Sequence, residues 1–231
     1  MPGLVYRLNQ GGAIDSWRYT RYIQTDRSVF VSTMKKGQLT KENILLKAAT
    51  LFNTEGYSKA SLSDIMAATG LEKGGIYNHF GSKDQLMLEA FDFAVRHVGN
   101  VIRQKLDAQP DAIGKLSTLV DHFSAMAEGA PIPGGCPLMN TAIESDDSMP
   151  ELRERARAAM TRFLRLVEII IREGMEHEFR SDLDPGAEAM RLIASLEGAL
   201  MLRKLYGSGA KTRPINEYWK KEFQSWKRNG L

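Results

Sequence analysis

One cysteine occurs in the 231 residues. A single thiol cannot close an intrachain disulfide and cannot build a cysteine-rich zinc site. No apolar run reaches the roughly 18–20 residues of a membrane-spanning helix. The N-terminus lacks the basic flank and apolar stretch of a secretory signal. Cytoplasmic residence with no membrane partner is therefore expected. No period-two alternation of apolar and polar residues stands out, and no internal repeat, which argues against sheet architectures and repeat arrays. Catalytic signatures are missing as well: there is no nucleophile elbow and no dinucleotide fingerprint. A di-iron helical bundle wants Glu-x-x-His pairs. Three residues before His79, His97, His122 and His177 stand Ile76, Ala94, Leu119 and Gly174, none of them acidic. No metal, no cofactor and no enzyme activity are expected, with a helical-bundle enzyme as the rival reading.

What is present is an ordinary globular balance, 43% hydrophobic and 26% charged, with a net charge of +3. The charge is segregated. Residues 34–86 carry +2, residues 87–206 carry −5 and residues 207–231 carry +4. A slightly basic unit on an acidic body suits a nucleic-acid contact at one end. Residues 1–33 show no sustained helical period, and the texture changes at Met34. They are expected to be a disordered or non-native extension; the rival reading is an arm that reaches DNA through Arg18, Arg21 or Arg27.

From Thr40 onward the sequence reads as helices. Thr40-x-x-Asn43 is a partial capping box, and Ile44, Leu45, Ala48, Leu51 and Phe52 recur at helical spacing up to Gly56. Ser61, with Asp64 three residues on, caps a second helix whose inward residues are Ile65, Ala68 and Leu71. A short third helix is expected over residues 72–78. Ser82 caps a fourth that runs to about Leu106 with Leu86, Ala90, Phe91, Ala94, Val98 and Val101 inward, before Pro110. Further helices are expected over 111–128, 137–144, 151–177, 186–206 and 214–228. The 151–177 helix shows Leu152, Ala156, Met160, Phe163, Val167, Ile170 and Met175 on its apolar side. The 186–206 helix is apolar nearly all round, as a helix buried on more than one side would be.

Two adjacent glycines, Gly74 and Gly75, fall inside the third helix, where each costs about 1 kcal/mol relative to alanine. A phosphate-binding P-loop needs G-x-x-x-x-G-K-[ST] after a strand. Here Lys73 precedes the glycines, neither Ser nor Thr follows, and the preceding segment is helical. Three short helices within about forty residues, with Gly70 in the second turn, instead describe a helix-turn-helix, whose second helix lies in the major groove. Glycines then let the helix backbone approach the duplex. Ile76 and Phe80 anchor the helix, and Tyr77, Asn78 and His79 are left for base edges and phosphates. Lys83 can pair with a phosphate beside helix N-terminal amides.

The segment from Thr40 to Leu86 resembles the DNA-binding domain of the TetR/AcrR family of transcriptional regulators. The residues that carry the resemblance are Ala48-Ala49-x-Leu51-Phe52-x-x-x-Gly56-Tyr57, Ser63-Asp64-Ile65, Thr69-Gly70-Leu71 and Gly75-Ile76-Tyr77-Asn78-His79-Phe80-x-Ser82-Lys83. The resemblance implies an all-α fold: a three-helix helix-turn-helix DNA-binding domain over residues 34–86, then a helical ligand-binding and dimerisation bundle over 87–231. It implies a homodimeric regulator, a repressor by default, that binds a pseudo-palindromic double-stranded operator and leaves it on meeting a small-molecule effector. An activator or a ligandless DNA-binding regulator is the alternative within the class. By matching positions, Ser61, Ser63, Lys73, Gly74, Tyr77, Asn78, His79 and Lys83 would face DNA, with Gly75 beside them. Several relatives carry Arg where Ser63 stands, so base reading from the second helix is expected to be poorer.

The effector pocket is expected among the helices over 82–106, 111–128, 151–177 and 186–206, lined by Phe91, Phe123, Met126, Met139, Met160, Phe163, Leu196 and Leu200. In Pro133-Gly134-Gly135-Cys136-Pro137, Pro137 suits a first helical position. That sets Cys136 at the N-cap, where amides and the helix dipole favour a thiolate. The loop resembles a branch of the family in which a cysteine at this place is sometimes a redox sensor, with Lys204 as a possible cationic partner. Ala194, Ser195, Gly198 and Ala199, beside Leu192, Leu196 and Leu202, form a small-residue patch suited to an intersubunit four-helix bundle. The last helix, with Trp219, Phe223 and Trp226 on one face and Lys220, Lys221, Lys227 and Arg228 beside them, is expected to dock on the body.

Overall fold

The computed structural model describes residues 36–145, 149–207, 209 and 212–228. The expectations for residues 1–33 fall outside these. Contacts divide the chain into Met1–Glu42 and Asn43–Leu231. The described residues hold nine α-helices and no strand: α1 Lys36–Glu55, α2 Leu62–Thr69, α3 Lys73–Tyr77, α4 Lys83–Asp107, α5 Ala112–Gly129, α6 Pro137–Glu144, α7 Pro150–His177, α8 Pro185–Tyr206 and α9 Arg213–Ser225.

Local chemistry sets most boundaries. Ser61 caps α2 with a complete capping box: its hydroxyl accepts from the Asp64 amide while the Asp64 carboxylate accepts from the Ser61 amide. Gly70 ends α2 at φ +68, a left-handed conformation that costs glycine nothing. Ser82 caps α4 through the Gln85 amide, Asp111 caps α5 through the Gly114 amide, and Asp184 caps α8 through the amides of Gly186 and Ala187. Pro137, Pro150, Pro185 and Pro214 sit in first turns, where a missing N–H leaves no helical bond unmade. Thr40 is no cap. It lies within α1, and its hydroxyl donates back to the Lys36 carbonyl at 3.1 Å.

The apolar faces then dictate packing. Ile44, Ala48 and Phe52 of α1, Ile65 of α2, Ile76 of α3 and Phe80 are all within 1% of full burial. Ala68 is exposed instead of inward, and half-buried Leu62 and Met66 flank Ile65. Along α4 the inward row is completed by Ile102, with Val101 half-buried. On α7 the fully packed positions include Ala159 and Ile171, whereas Met160, Phe163 and Met175 are half-buried. The expectation for α8 is corrected. Ala189, Leu192, Ile193, Leu196 and Leu200 pack inward, but Met190, Met201 and Leu205 are exposed at 55%, 44% and 72%. An apolar helix surface of that kind has a side left for something outside the chain.

α9 docks on the body as expected. Trp219, Phe223 and Trp226 are buried, Lys220 pairs with Asp121 of α5 at 2.6 Å, and Asn216 donates to the Ser124 hydroxyl at 3.0 Å. Its end is clasped to the α7–α8 turn. Phe179 and Trp226, both fully buried, meet edge to face at 5.6 Å. The Arg180 amide donates to the Trp226 carbonyl at 2.8 Å, and the Arg228 amide to the Glu178 carbonyl at 2.9 Å. No described helix is long and apolar enough to cross a membrane.

Candidate nucleic-acid interface

α2, the Gly70 turn and α3 form a helix pair held from beneath. Ile76 and Phe80, each 1% exposed, plug α3 into the core. The opposite side of α3 presents Lys73, Gly74, Tyr77 and Asn78, all exposed, with His79 half-buried beside them. Lys73 lies over the Tyr77 ring at 5.7 Å from its centre, close enough for a cation–π attraction that keeps both on one face. Ser63 is exposed on α2, and Lys83 is half-buried in the first turn of α4. Ser61, half-buried, caps α2 as its spacing to Asp64 suggested. Its hydroxyl donates to the Asp64 carboxylate at 2.6 Å and accepts from the Asp64 amide, so the cap consumes it. These bonds to Ser61, with Lys83 nearby, hold the Asp64 carboxyl below its ordinary range.

The two glycines play different parts. Nothing lies within 4 Å of a β-carbon built on Gly74. Its backbone φ is not positive either. The fold itself therefore has no use for a glycine there. Gly75 is half-buried, and a β-carbon built there would meet the Leu71 side chain at 3.5 Å, an ordinary contact. Of the pair, Gly74 is the more exposed.

Behind this surface, Asn53, which sequence reasoning had not singled out, and residues around it tie α1 to the body. Asn53, near the end of α1 and 7% exposed, donates to the carbonyls of Pro133 at 2.7 Å and Gly135 at 3.1 Å. Asn140 of α6 donates to Asn53 Oδ1 at 2.8 Å and to the Gly134 carbonyl at 3.0 Å. Gly134 has φ +103, and a β-carbon there would collide with the Asn53 carbonyl. The Tyr57 hydroxyl meets Thr141 at 3.0 Å, and the Ser58 amide donates to Glu144 at 2.8 Å. Burial pushes the Tyr57 phenol up to about 12, against the Thr141 bond, so it stays protonated. An asparagine in a last helical turn carries no signal in the sequence, because its partners lie some eighty residues away.

Cys136 is the N-cap of α6, where the sequence put it. It is not a thiolate. The thiol is 5% exposed and donates to Glu197 Oε1 of α8 at 2.9 Å. Burial, then the Glu197 carboxylate, push its pKa well above the ordinary value, and amides of Met139 and Leu138 offset this only in part. Burial raises Glu197 as well. Lys204, pulled down by burial, donates to Asn140 Oδ1 at 2.8 Å.

The eight side chains expected to line an effector pocket are mostly packed core. Phe91, Phe123, Met126, Leu196 and Leu200 are buried; Met139, Met160 and Phe163 are half-buried. Phe123 stacks on Phe163 at 6.1 Å. Phe123, Leu196 and Leu200 wall a void of about 10 Å³ together with Arg203, Thr212 and Asn216, room for about one water. A larger groove of about 400 Å³ runs between α8 and α9, lined by residues that include Ser195, Gly198, Leu202, Ile215, Tyr218 and Trp219. None of the eight lines it. Among the described residues no three His, Cys, Asp or Glu side chains gather as metal ligands would.

A capped helix pair with a left-handed glycine turn and a short second helix, plugged from behind and polar in front, defines a helix-turn-helix DNA-binding protein with a separate helical body. The comparisons with known proteins agree. Residues 44–90 match the family described as bacterial regulatory proteins, tetR family, and residues 112–217 match the tetracyclin repressor-like C-terminal domain. A TetR transcriptional regulator from Chloroflexus aurantiacus J-10-FL is 40% identical with a TM-score of 0.80, covering 84% of this chain and 99% of its own. A TetR-family regulator from Cytophaga hutchinsonii is 31% identical with a TM-score of 0.77, covering 84% and 98%. The HTH-type transcriptional repressor DhaR of Mycobacterium sp. strain GP1 is 29% identical over 171 residues, 71% of this chain and 82% of its own. The chain belongs to the TetR family of transcriptional regulators.

Proposed function

We propose that this TetR-family regulator is a ligand-responsive repressor acting by binding, not catalysis, in the cytoplasm. Two copies associate through α8 and its neighbours, and their heads, residues 34–86, bind a pseudo-palindromic operator. A small molecule bound to the body, residues 87–231, releases the DNA. Modification of Cys136 is a second route to release; its buried, protonated thiol requires an opening of the loop before it can react.

The observation that carries this reading is the outward face of α3, with Lys73, Gly74, Tyr77 and Asn78 exposed on a helix fixed by Ile76 and Phe80. Ser63, Gly75, His79 and Lys83 complete the contact set, and Ser61 serves it as a cap. The exposed apolar row of α8 and the groove beside it support self-association, because a two-fold pairing buries the same patch on both copies. The repressor role follows DhaR, which carries that description.

Selection of genomic fragments by the full-length protein tests the reading. Recovered sites should carry inverted half-sites about one helical turn apart or slightly more. Binding should weaken steeply with salt. Tyr77→Ala and Lys83→Ala should lower affinity and leave the dimer intact. Failure to enrich any specific site would overturn the assignment.

A further inference from the structure

Hydrogen bonds run without a break from α8 to the end of α1. Lys204 of α8 bonds Asn140 of α6, and Asn140 bonds Asn53 of α1. One α8 turn pair away, Glu197 accepts from Cys136, which begins α6. Glu197 and Lys204 are seven residues apart, so they lie on one face of α8 two turns from each other. Cys136 of the loop Pro133–Pro137 and Asn140 of α6 thus hold α8 at two points. The same loop and α6 hold α1, because Asn53 spends both amide protons on Pro133 and Gly135 and its oxygen on Asn140. The close approach of Gly134 to the Asn53 backbone leaves no slack at that point. On the other side, α8 walls the 400 Å³ groove with α9. Within the contact of Cys136 and Glu197, the second Glu197 oxygen is buried without a partner. A network with one unmet acceptor is held less firmly than a saturated one.

We propose that the Pro133–Pro137 loop and α6 are a tie that transmits displacement of α8 to the C-terminal end of α1, and so to the helix-turn-helix. Two bonds join α8 to α6, Lys204–Asn140 and Glu197–Cys136, and both must stretch when α8 shifts against α6. Asn53 receives the movement in the helix that Ile44, Ala48 and Phe52 pack beneath α2 and α3. A displacement of α8 by an effector in the body reaches the head by this route. The inference deepens the reading of the chain as a ligand-responsive regulator and rests on it.

A double-mutant cycle tests the tie. Lys204→Met keeps the aliphatic stem of an exposed residue and removes its donor and its charge, and Lys204→Gln, which is equally neutral but still a donor, separates the two. Operator affinity is measured on a fragment that the wild-type protein enriches from genomic DNA, and amide hydrogen exchange is followed over Phe52–Ser58. Lys204→Met should change affinity at least threefold and speed exchange over that segment. In an Asn53→Ala background, or in Asn140→Ala if Asn53→Ala does not fold, it should change neither. An unaltered affinity and exchange in Lys204→Met would overturn the proposal. So would an equal effect of Lys204→Met in both backgrounds. If the wild type enriches no fragment, the regulator reading fails, while the exchange arm still decides whether α8 and α1 are tied.

Discussion

Gly74→Ala adds one methyl group to the exposed face of α3. In the free chain that methyl meets nothing within 4 Å, and the backbone there is not in the left-handed region. Alanine therefore recovers part of the helix-propensity cost of glycine, roughly 0.5 kcal/mol in so short a helix, half the full value of about 1 kcal/mol. For a chain of this size the melting temperature should rise by about 1–2 °C. On DNA the sign reverses. If the α3 backbone lies against the duplex at Gly74, the methyl holds the helix off and weakens neighbouring contacts, each worth about 1–3 kcal/mol when it reads a base. A loss of about 1.4 kcal/mol is tenfold in Kd. Calorimetry of the free protein and fluorescence anisotropy on a labelled operator read the two effects separately. A variant that is no less stable and binds at least tenfold more weakly meets the expectation. Undiminished binding would show that Gly74 does not face the duplex. A lower melting temperature would show that the space around it is not open.

Three further outcomes are expected. Ser61→Ala removes the hydroxyl half of the α2 capping box, leaving the backbone amide of residue 61 to the Asp64 carboxylate, and should cost about 1 kcal/mol, seen as a lower melting temperature; an unchanged midpoint would mean that the hydroxyl is dispensable. His122 is held neutral, its pKa pulled down to about 4 by burial and then by Lys105. An unfolded histidine titrates near 6.5. The unfolded chain therefore binds a proton that the folded chain refuses, so stability is full above pH 6.5 and is lost as pH falls to 4. The loss is at most about 3 kcal/mol, and His122→Gln should flatten that slope in urea titrations at pH 7 and pH 4.5. A slope that persists in the variant would place the acid sensitivity elsewhere. Met201→Glu puts a charge in the exposed apolar row of α8 and should dissociate the dimer in sedimentation runs without loss of helicity; an intact dimer would move the subunit face off α8.

The helix-turn-helix was legible because its signals are local. Ser61 and Asp64, Gly70, and the spacing of Ile76 and Phe80 act within a few residues of one another, and each fell where the sequence put it. Pro137 and Cys136 were legible in position for the same reason. The state of the Cys136 thiol was not. Its N-cap amides argue for a thiolate, but burial and Glu197, sixty-one residues away, outweigh them. Thr40 misled because a threonine back-bonding inside a helix and one capping it look alike over four residues. Ala68 and Gly75 followed the helical period well enough, but short helices turn on a single core residue, and tertiary packing set which way they face. Asn53 could not be found at all, since its meaning lies in carbonyls of a distant loop.

The clasp between Phe179 and Trp226 closes a loop of chain that contains α8 and α9. Its two ends are joined by the backbone bonds Arg180 to Trp226 and Arg228 to Glu178. α8 lies between these tied points and is packed within a single copy, with Leu192, Leu196 and Leu200 already buried there. A protomer then needs no partner to keep α8 folded. Association should follow rigid docking, with a heat-capacity change set by the patch covered and not by folding of a helix. If two copies pair as proposed, differently tagged dimers mixed in solution should trade protomers at a rate unrelated to their unfolding rate, so mixed dimers with one altered head could be assembled from native protein.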